Sequence, residues 1–172
     1  MRKGYIQVYT GNGKGKTTAS LGLALRAAGA GMKVFIGQFI KTEECSEHKA
    51  LERFSDLISI KRFGLGLCIG KKPTEADVAA ALEGLSAAEE VVLSKLYDVV
   101  VLDEINVAVH LGLIGVDDVL RLMREKPPET ELILTGRYAD ERVIAEADLV
   151  TEMKEVKHYF EKGIKARRGI EK

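Results

Sequence analysis

Tryptophan is absent from this 172-residue chain, aromatic residues make up 6% of it, and there are only two cysteines. Cys45 and Cys68 lie far apart and form no ligand-spaced cluster, which excludes a disulfide framework or a zinc site and predicts free thiols. No apolar run reaches membrane-spanning length, and Met1-Arg2-Lys3-Gly4 passes into a strand pattern without the apolar segment of a signal peptide. A soluble cytoplasmic protein with no membrane association is therefore expected. Basic runs are not interleaved with aromatics, which argues against a nucleic-acid surface. No internal repeat, low-complexity tract or linker interrupts the chain, so residues 1–172 read as a single domain, its 46% hydrophobic content sufficient for a core.

Acidic residues are missing from one end. Residues 1–42 hold seven Lys or Arg and no Asp or Glu, residues 154–172 hold seven bases against three acids, and the acidic middle brings the formal net charge to zero. A base-only segment favours a small polyanionic ligand over a nucleic acid. Within it stands Thr10-Gly11-Asn12-Gly13-Lys14-Gly15-Lys16-Thr17-Thr18, preceded by the alternating, β-prone Tyr5–Tyr9 and followed by the Ala- and Leu-rich stretch Thr18–Ala30. Glycines before Lys-Thr, set between a strand and a helix, are the signature of a phosphate-binding loop whose backbone N–H groups wrap an anion. The loop is a variant: Thr10 stands where a glycine is usual five residues before Gly15. Gly11 to Thr18 are the expected ligands of ATP phosphates.

Further along, short apolar runs bounded by turn residues predict strands at Lys33–Phe39, Leu57–Phe63, Val99–Leu102, Glu131–Thr135 and Leu149–Met153. Helical patterns fall at Thr42–Phe54, from Thr74 to about Leu96, at Asn106–Leu111, at Val116–Lys126 ahead of Pro127-Pro128, and at Ala139–Ala147. Thr74 and Asp77 form a capping-box pattern, and Val78, Leu82, Leu85, Val92 and Leu96 are expected to face the core. Alternation of strand and helix predicts an α/β fold: a mainly parallel six-stranded sheet with helices on both faces, of the P-loop NTPase (RecA-like) type. Gln38 and Lys41 fall at the C-terminal end of the second strand, where open parallel sheets place ligands. Gly64–Gly70 is an apolar, glycine-punctuated loop.

Asp103-Glu104 at the tip of the fourth strand supplies carboxylates that can hold Mg²⁺, directly or through water, with the Thr17 hydroxyl as third partner, while Lys16 neutralises the phosphates. Lys16 and Glu104 are the candidate catalytic residues; Thr17, Asp103 and Glu104 are the candidate metal ligands. His48, His110 and His158 form no visible catalytic set.

Gly11–Thr18, Gln38-Phe39-Ile40-Lys41, Leu102–Asn106, Leu134–Arg137, Ala147–Met153 and the tail elements Lys157-His158, Gly163–Ala166 and Gly169–Glu171 resemble, in order, the phosphate-loop ATP:corrinoid adenosyltransferases. The resemblance implies transfer of the 5′-deoxyadenosyl group of ATP to the Co(I) of a corrinoid, in cobalamin biosynthesis or salvage, with triphosphate as leaving group and a reversed run of phosphates in the loop. It implies Mg²⁺, a corrinoid side including Leu67, Ile69, Asn106 and Arg137, a flavin-type reductant protein and a homodimer. Longer members carry an N-terminal extension over the corrinoid; here the first strand pattern begins almost at once, so that cover is expected to be missing or to come from elsewhere. Leu67 and Ile69 replace two aromatic residues of the family, and Arg167 and Lys172 replace a glutamine and a phenylalanine. The loop motif alone leaves open a generic ATPase or kinase, with Arg137 stabilising transferred phosphate, and a non-catalytic nucleotide switch.

Overall fold

The computed structural model of the chain describes residues 3–41, 45–67 and 70–171. Six parallel strands, β1 (Ile6–Thr10), β2 (Val34–Gln38), β3 (Ile58–Arg62), β4 (Val99–Asp103), β5 (Glu131–Thr135) and β6 (Leu149–Glu152), form one sheet in the order β3-β2-β4-β5-β1-β6. Helices α1 (Lys16–Gly29), α2 (Ser46–Leu51), α3 (Glu75–Leu93), α4 (Ile105–His110), α5 (Val116–Glu125) and α6 (Glu141–Glu146) connect them. This is the α/β, all-parallel arrangement that the alternation of patterns predicts.

The strands bury both faces, which is why their sequences read as continuous apolar runs instead of alternating ones. In β4, Val100 and Leu102 join one apolar cluster and Val99 and Val101 the other. Leu132 and Leu134 of β5 are likewise divided from Ile133. On one side lie Ala24, Ala27 and Ala28 of α1 with Leu51 of α2, the small side chains letting α1 sit close to the sheet. Helices α3 to α6 cover the other side through residues such as Leu85, Ala108, Leu122 and Val143. Burying one such valine or leucine is worth roughly 1.5–3 kcal/mol.

The expected core face of α3 is corrected at two positions. Leu82 and Leu96 are 48% and 66% exposed, and Leu96 lies beyond the helix end. The buried stripe is Ala81, Gly84, Leu85, Ala88 and Val92, with Val78 packed against it. Small residues let α3 approach the sheet so closely that a Cβ on Gly84 would stand 2.6 Å from Phe63. The helix begins as expected, with Thr74 and Asp77 exchanging capping-box hydrogen bonds. Among the described residues no helix is long and apolar enough to cross a membrane.

Candidate active site

Parallel pairing brings the chemistry to one edge. Register places Gln38 beside Asp103 across β2 and β4, Leu102 beside Leu134 across β4 and β5, and Tyr9 beside Thr135 across β1 and β5. The C-terminal ends of four strands thus line up polar side chains under the loop that leaves β1. This is the sheet edge where ligands bind in folds of this type.

Two reasons explain the loop's glycines. Gly15, at the N-cap of α1, has φ 119°, a backbone state that side chains resist. Gly11, which also has a positive φ of 92°, and Gly13 permit close approach: a Cβ on either would meet the Met153–Lys154 backbone at 2.5–2.7 Å. The Gly13 N–H donates to the Met153 carbonyl at 2.6 Å, and the Met153 N–H to the Thr10 carbonyl at 2.8 Å, so the chain after β6 anchors the loop. The first turn of α1 contains no acidic residue, which leaves its N-terminal N–H groups and partial positive charge open to an anion.

Lys16 is buried and folds back on the loop, donating to the carbonyls of Gly11 and Gly13, each at 2.7 Å. Burial lowers the pKa of its ammonium, Glu104 offsets part of that shift, and Arg137 adds to it. Asp103, 1% exposed, accepts from Thr17 Oγ1 (3.0 Å), Thr135 Oγ1 (2.6 Å), Gln38 Nε2 (3.1 Å) and Lys41 Nζ (2.9 Å). Burial pulls the Lys41 ammonium down, but the Asp103 charge and hydrogen bond outweigh it and the net shift is upward. Glu104 occupies the N-cap of α4 in the left-handed region, φ 64°, with its N–H donating to Thr135 Oγ1. Burial, then the neighbouring Asp103, raises its pKa, and Lys41, Lys16 and Arg137 pull the other way. A carboxylate held in that backbone state, among cations and beneath a cavity, is the kind of strained placement that accompanies function.

Above these groups opens a cavity of about 770 Å³ lined by residues 13–18, Lys41, Glu104 and Arg137, large enough for a nucleotide. Leu21, Leu25 and Ala50 give it an apolar side, and His158, Gly169, Ile170 and Glu171 of the tail close another. The structure therefore gathers Lys14, Lys16, Thr17, Thr18, Glu104 and Arg137 at one wall, with Asp103 beneath. Gly11 and Asn12 belong to the same loop without lining the cavity. Asn106 is buried against Gly136 with its Nδ2 unpartnered, and Leu67 packs on the core; neither lines this cavity, whereas Arg137, expected on the same side as them, does. Ile69 lies outside the described residues. Thr135, His48 and the tail residue Tyr159, which donates to Glu171 and accepts from Lys14, were not singled out as functional by motif reading. His110 stacks on Tyr138 at 4.2 Å on the surface.

Comparison with known proteins agrees with this geometry. Residues 2–171 match the family model described as ATP:corrinoid adenosyltransferase BtuR/CobO/CobP. Relatives named corrinoid adenosyltransferase include one from a Sinorhizobium species, 40% identical over 98% of this chain and 80% of its own. Those from Pseudomonas aeruginosa and Escherichia coli K12 are 37% and 36% identical over 98% of this chain and 84% and 86% of theirs. With a phosphate loop, a strand-tip carboxylate pair and a tail folded over one cavity, and a match running almost end to end, the chain belongs to the ATP:corrinoid adenosyltransferase family.

Proposed function

We propose that this chain transfers the 5′-deoxyadenosyl group of ATP to the reduced cobalt of a corrinoid, acting in the cytoplasm as one domain per protomer. The observation that carries this reading is the convergence of four cations, Lys14, Lys16, Lys41 and Arg137, on a cavity that also carries Glu47, Glu104 and Glu171 and has one histidine, His158, at the tail side. Attack by Co(I) on the ribose 5′-carbon forms a cobalt–carbon bond from the metal's electron pair. The carbon–oxygen pair leaves with triphosphate, so no proton has to be removed from the nucleophile. What the protein must supply is orientation and neutralisation of a highly charged leaving group. Lys16 would exchange its two loop carbonyls for phosphate oxygens, and the N–H groups of residues 14–18 would hold the rest.

The donor set fits Mg²⁺. Among the described residues no group of three His, Cys, Asp or Glu is gathered for a metal, but Mg²⁺ commonly takes one or two protein ligands alongside waters and phosphate oxygens. Asp103 already accepts from four side chains, whereas none of the described residues donates a hydrogen bond to the Glu104 carboxylate. Thr17 and Glu104 would hold the ion, and Asp103 would act through its water. Bound there, Mg²⁺ would supply charge compensation for the departing triphosphate.

Two features support a homodimer: among the described residues β6 pairs on one side only, and Leu149, Val150 and Phe160 are 46%, 41% and 73% exposed. Leu67, and Ile69 beyond the described residues, are assigned to the corrinoid side with Asn106 and Arg137, and a flavin-type protein to the delivery of the electron that makes Co(I). The test is anaerobic incubation with ATP, Mg²⁺ and a chemically reduced corrinoid. A light-sensitive adenosylated corrinoid is the expected product; ADP with an unchanged corrinoid would place the chain among phosphoryl-transfer enzymes.

A further inference from the structure

Behind Asp103 runs a buried chain of hydrogen bonds that ends on α2. Gln38 donates from Nε2 to Asp103 at 3.1 Å, and its Oε1 lies 2.5 Å from His48 Nε2. His48 is 8% exposed and Gln38 1%. The other ring nitrogen, Nδ1, stands 2.8 Å from the backbone nitrogen of Cys45, and the Cys45 side chain accepts from the His48 backbone N–H in return, capping α2.

The direction of every bond follows from one donor. A backbone N–H can only donate, so His48 Nδ1 accepts and the ring carries its proton on Nε2. The Gln38 atom facing that N–H must be the carbonyl oxygen, which leaves the amide NH₂ turned to Asp103. An amide without this constraint could reverse and set its oxygen against a carboxylate, a costly contact with both side chains 1% exposed.

We propose that His48 is a positioning residue: through Gln38 it fixes the amide donor on Asp103 and so holds that carboxylate toward Thr17, locking α2, a wall of the nucleotide cavity, to the metal side of the site. The inference rests on the reading of Asp103 as a partner of the bound metal. Outer partners of a metal site commonly alter affinity 10–100-fold, and one link further out should act near the lower figure.

Two substitutions separate this role from capping. His48→Asn keeps an oxygen where Nδ1 accepts from Cys45 but cannot reach Gln38. His48→Gln keeps an N–H where Nε2 donates to Gln38 but offers Cys45 nothing at the Nδ1 position. The readouts are Mn²⁺ binding to the full chain with ATP present, followed by electron paramagnetic resonance, and the unfolding midpoint. His48→Asn should weaken Mn²⁺ about 10-fold with a near-normal midpoint, while His48→Gln should bind Mn²⁺ nearly as wild type with a lowered midpoint. Unchanged Mn²⁺ affinity in His48→Asn, or equal losses in both, overturns the proposal. Should His48→Asn not fold, Gln38→Glu takes its place, setting a carboxylate oxygen beside Asp103 with the α2 cap intact; it should show the same loss, and normal affinity overturns the proposal. Asp103→Asn runs in parallel. If it leaves Mn²⁺ binding unchanged, the metal reading fails and this inference with it; if it weakens binding while His48→Asn does not, this inference alone falls.

Discussion

Lys14 and Glu171, 157 positions apart, are joined by an ion pair of 2.7 Å that straps the C-terminal tail across the phosphate loop. Arg167, then Lys14 and Tyr159, hold the Glu171 carboxyl well below the usual carboxylate range. A depressed carboxylate contributes in full above its unfolded value of 4.5 and loses that contribution only as pH falls through the lower folded value. Tail docking is therefore expected to persist through pH 5 and to weaken only in stronger acid. Limited proteolysis of the tail across that range checks it, and Glu171→Gln should expose the tail at all pH values.

The same pair competes with a ligand. Triphosphate in the loop would recruit Lys14, which now serves Glu171, so Glu171→Gln should tighten ATP binding modestly at low salt. High salt should shrink the difference, because the pair is exposed. Titration calorimetry at two ionic strengths measures both effects.

Lys16→Ala should lower kcat/KM by about 10²–10³, the scale of losing a preorganised charge at a developing anion. Stability should change little, since among the described residues the ammonium pairs only with carbonyls of its own loop. Steady-state kinetics beside a thermal melt would show both, and near-normal turnover would remove Lys16 from the site.

Glu104 couples function to stability with the opposite sign. Its folded pKa is raised, so its contribution in the ligand-free protein is present below the unfolded value and is lost as pH rises through the folded one. Glu104→Gln should accordingly leave the neutral-pH midpoint of the ligand-free protein unchanged or higher, and flatten its pH dependence. Magnesium-dependent turnover should fall by at least about 10². A lower midpoint with intact turnover would reverse the assignment.

Close approach makes Gly13 harder to replace than its place in an exposed-looking loop suggests. Gly13→Ala should cost about 1–3 kcal/mol, because its Cβ would meet the Met153 and Lys154 carbonyl oxygens at 2.7 Å. Gly29→Ala, at the end of α1 with nothing within 4 Å, should instead stabilise by roughly 0.4–1 kcal/mol. Urea denaturation of the two variants gives the comparison.

Much of this architecture was legible because a strand buried on both faces announces itself as a short apolar run, and Val99–Leu102 and Leu132–Leu134 are of that kind. The loop was legible because its chemistry is local. The helical face of α3 misled at Leu82 and Leu96, since hydrophobicity gives no weight to Ala81, Gly84 and Ala88, whose smallness is what lets the helix approach. Gln38 was marked by its place at a strand end, but its neighbour depends on register: Asp103 lies beside it only because β4 is inserted next to β2. His48, Thr135 and the Lys14–Glu171 pair join segments distant in sequence, and no local pattern carries that information.

The central claim is that the ribose 5′-carbon, and not a phosphorus atom, is attacked. ATP carrying carbon-13 at the 5′ position, incubated with the protein, Mg²⁺ and pre-reduced corrinoid, tests it most directly by carbon and phosphorus NMR. The account predicts that the label appears bonded to cobalt in step with intact triphosphate. Label remaining in ADP, accompanied by phosphate or a phosphorylated acceptor, would contradict it.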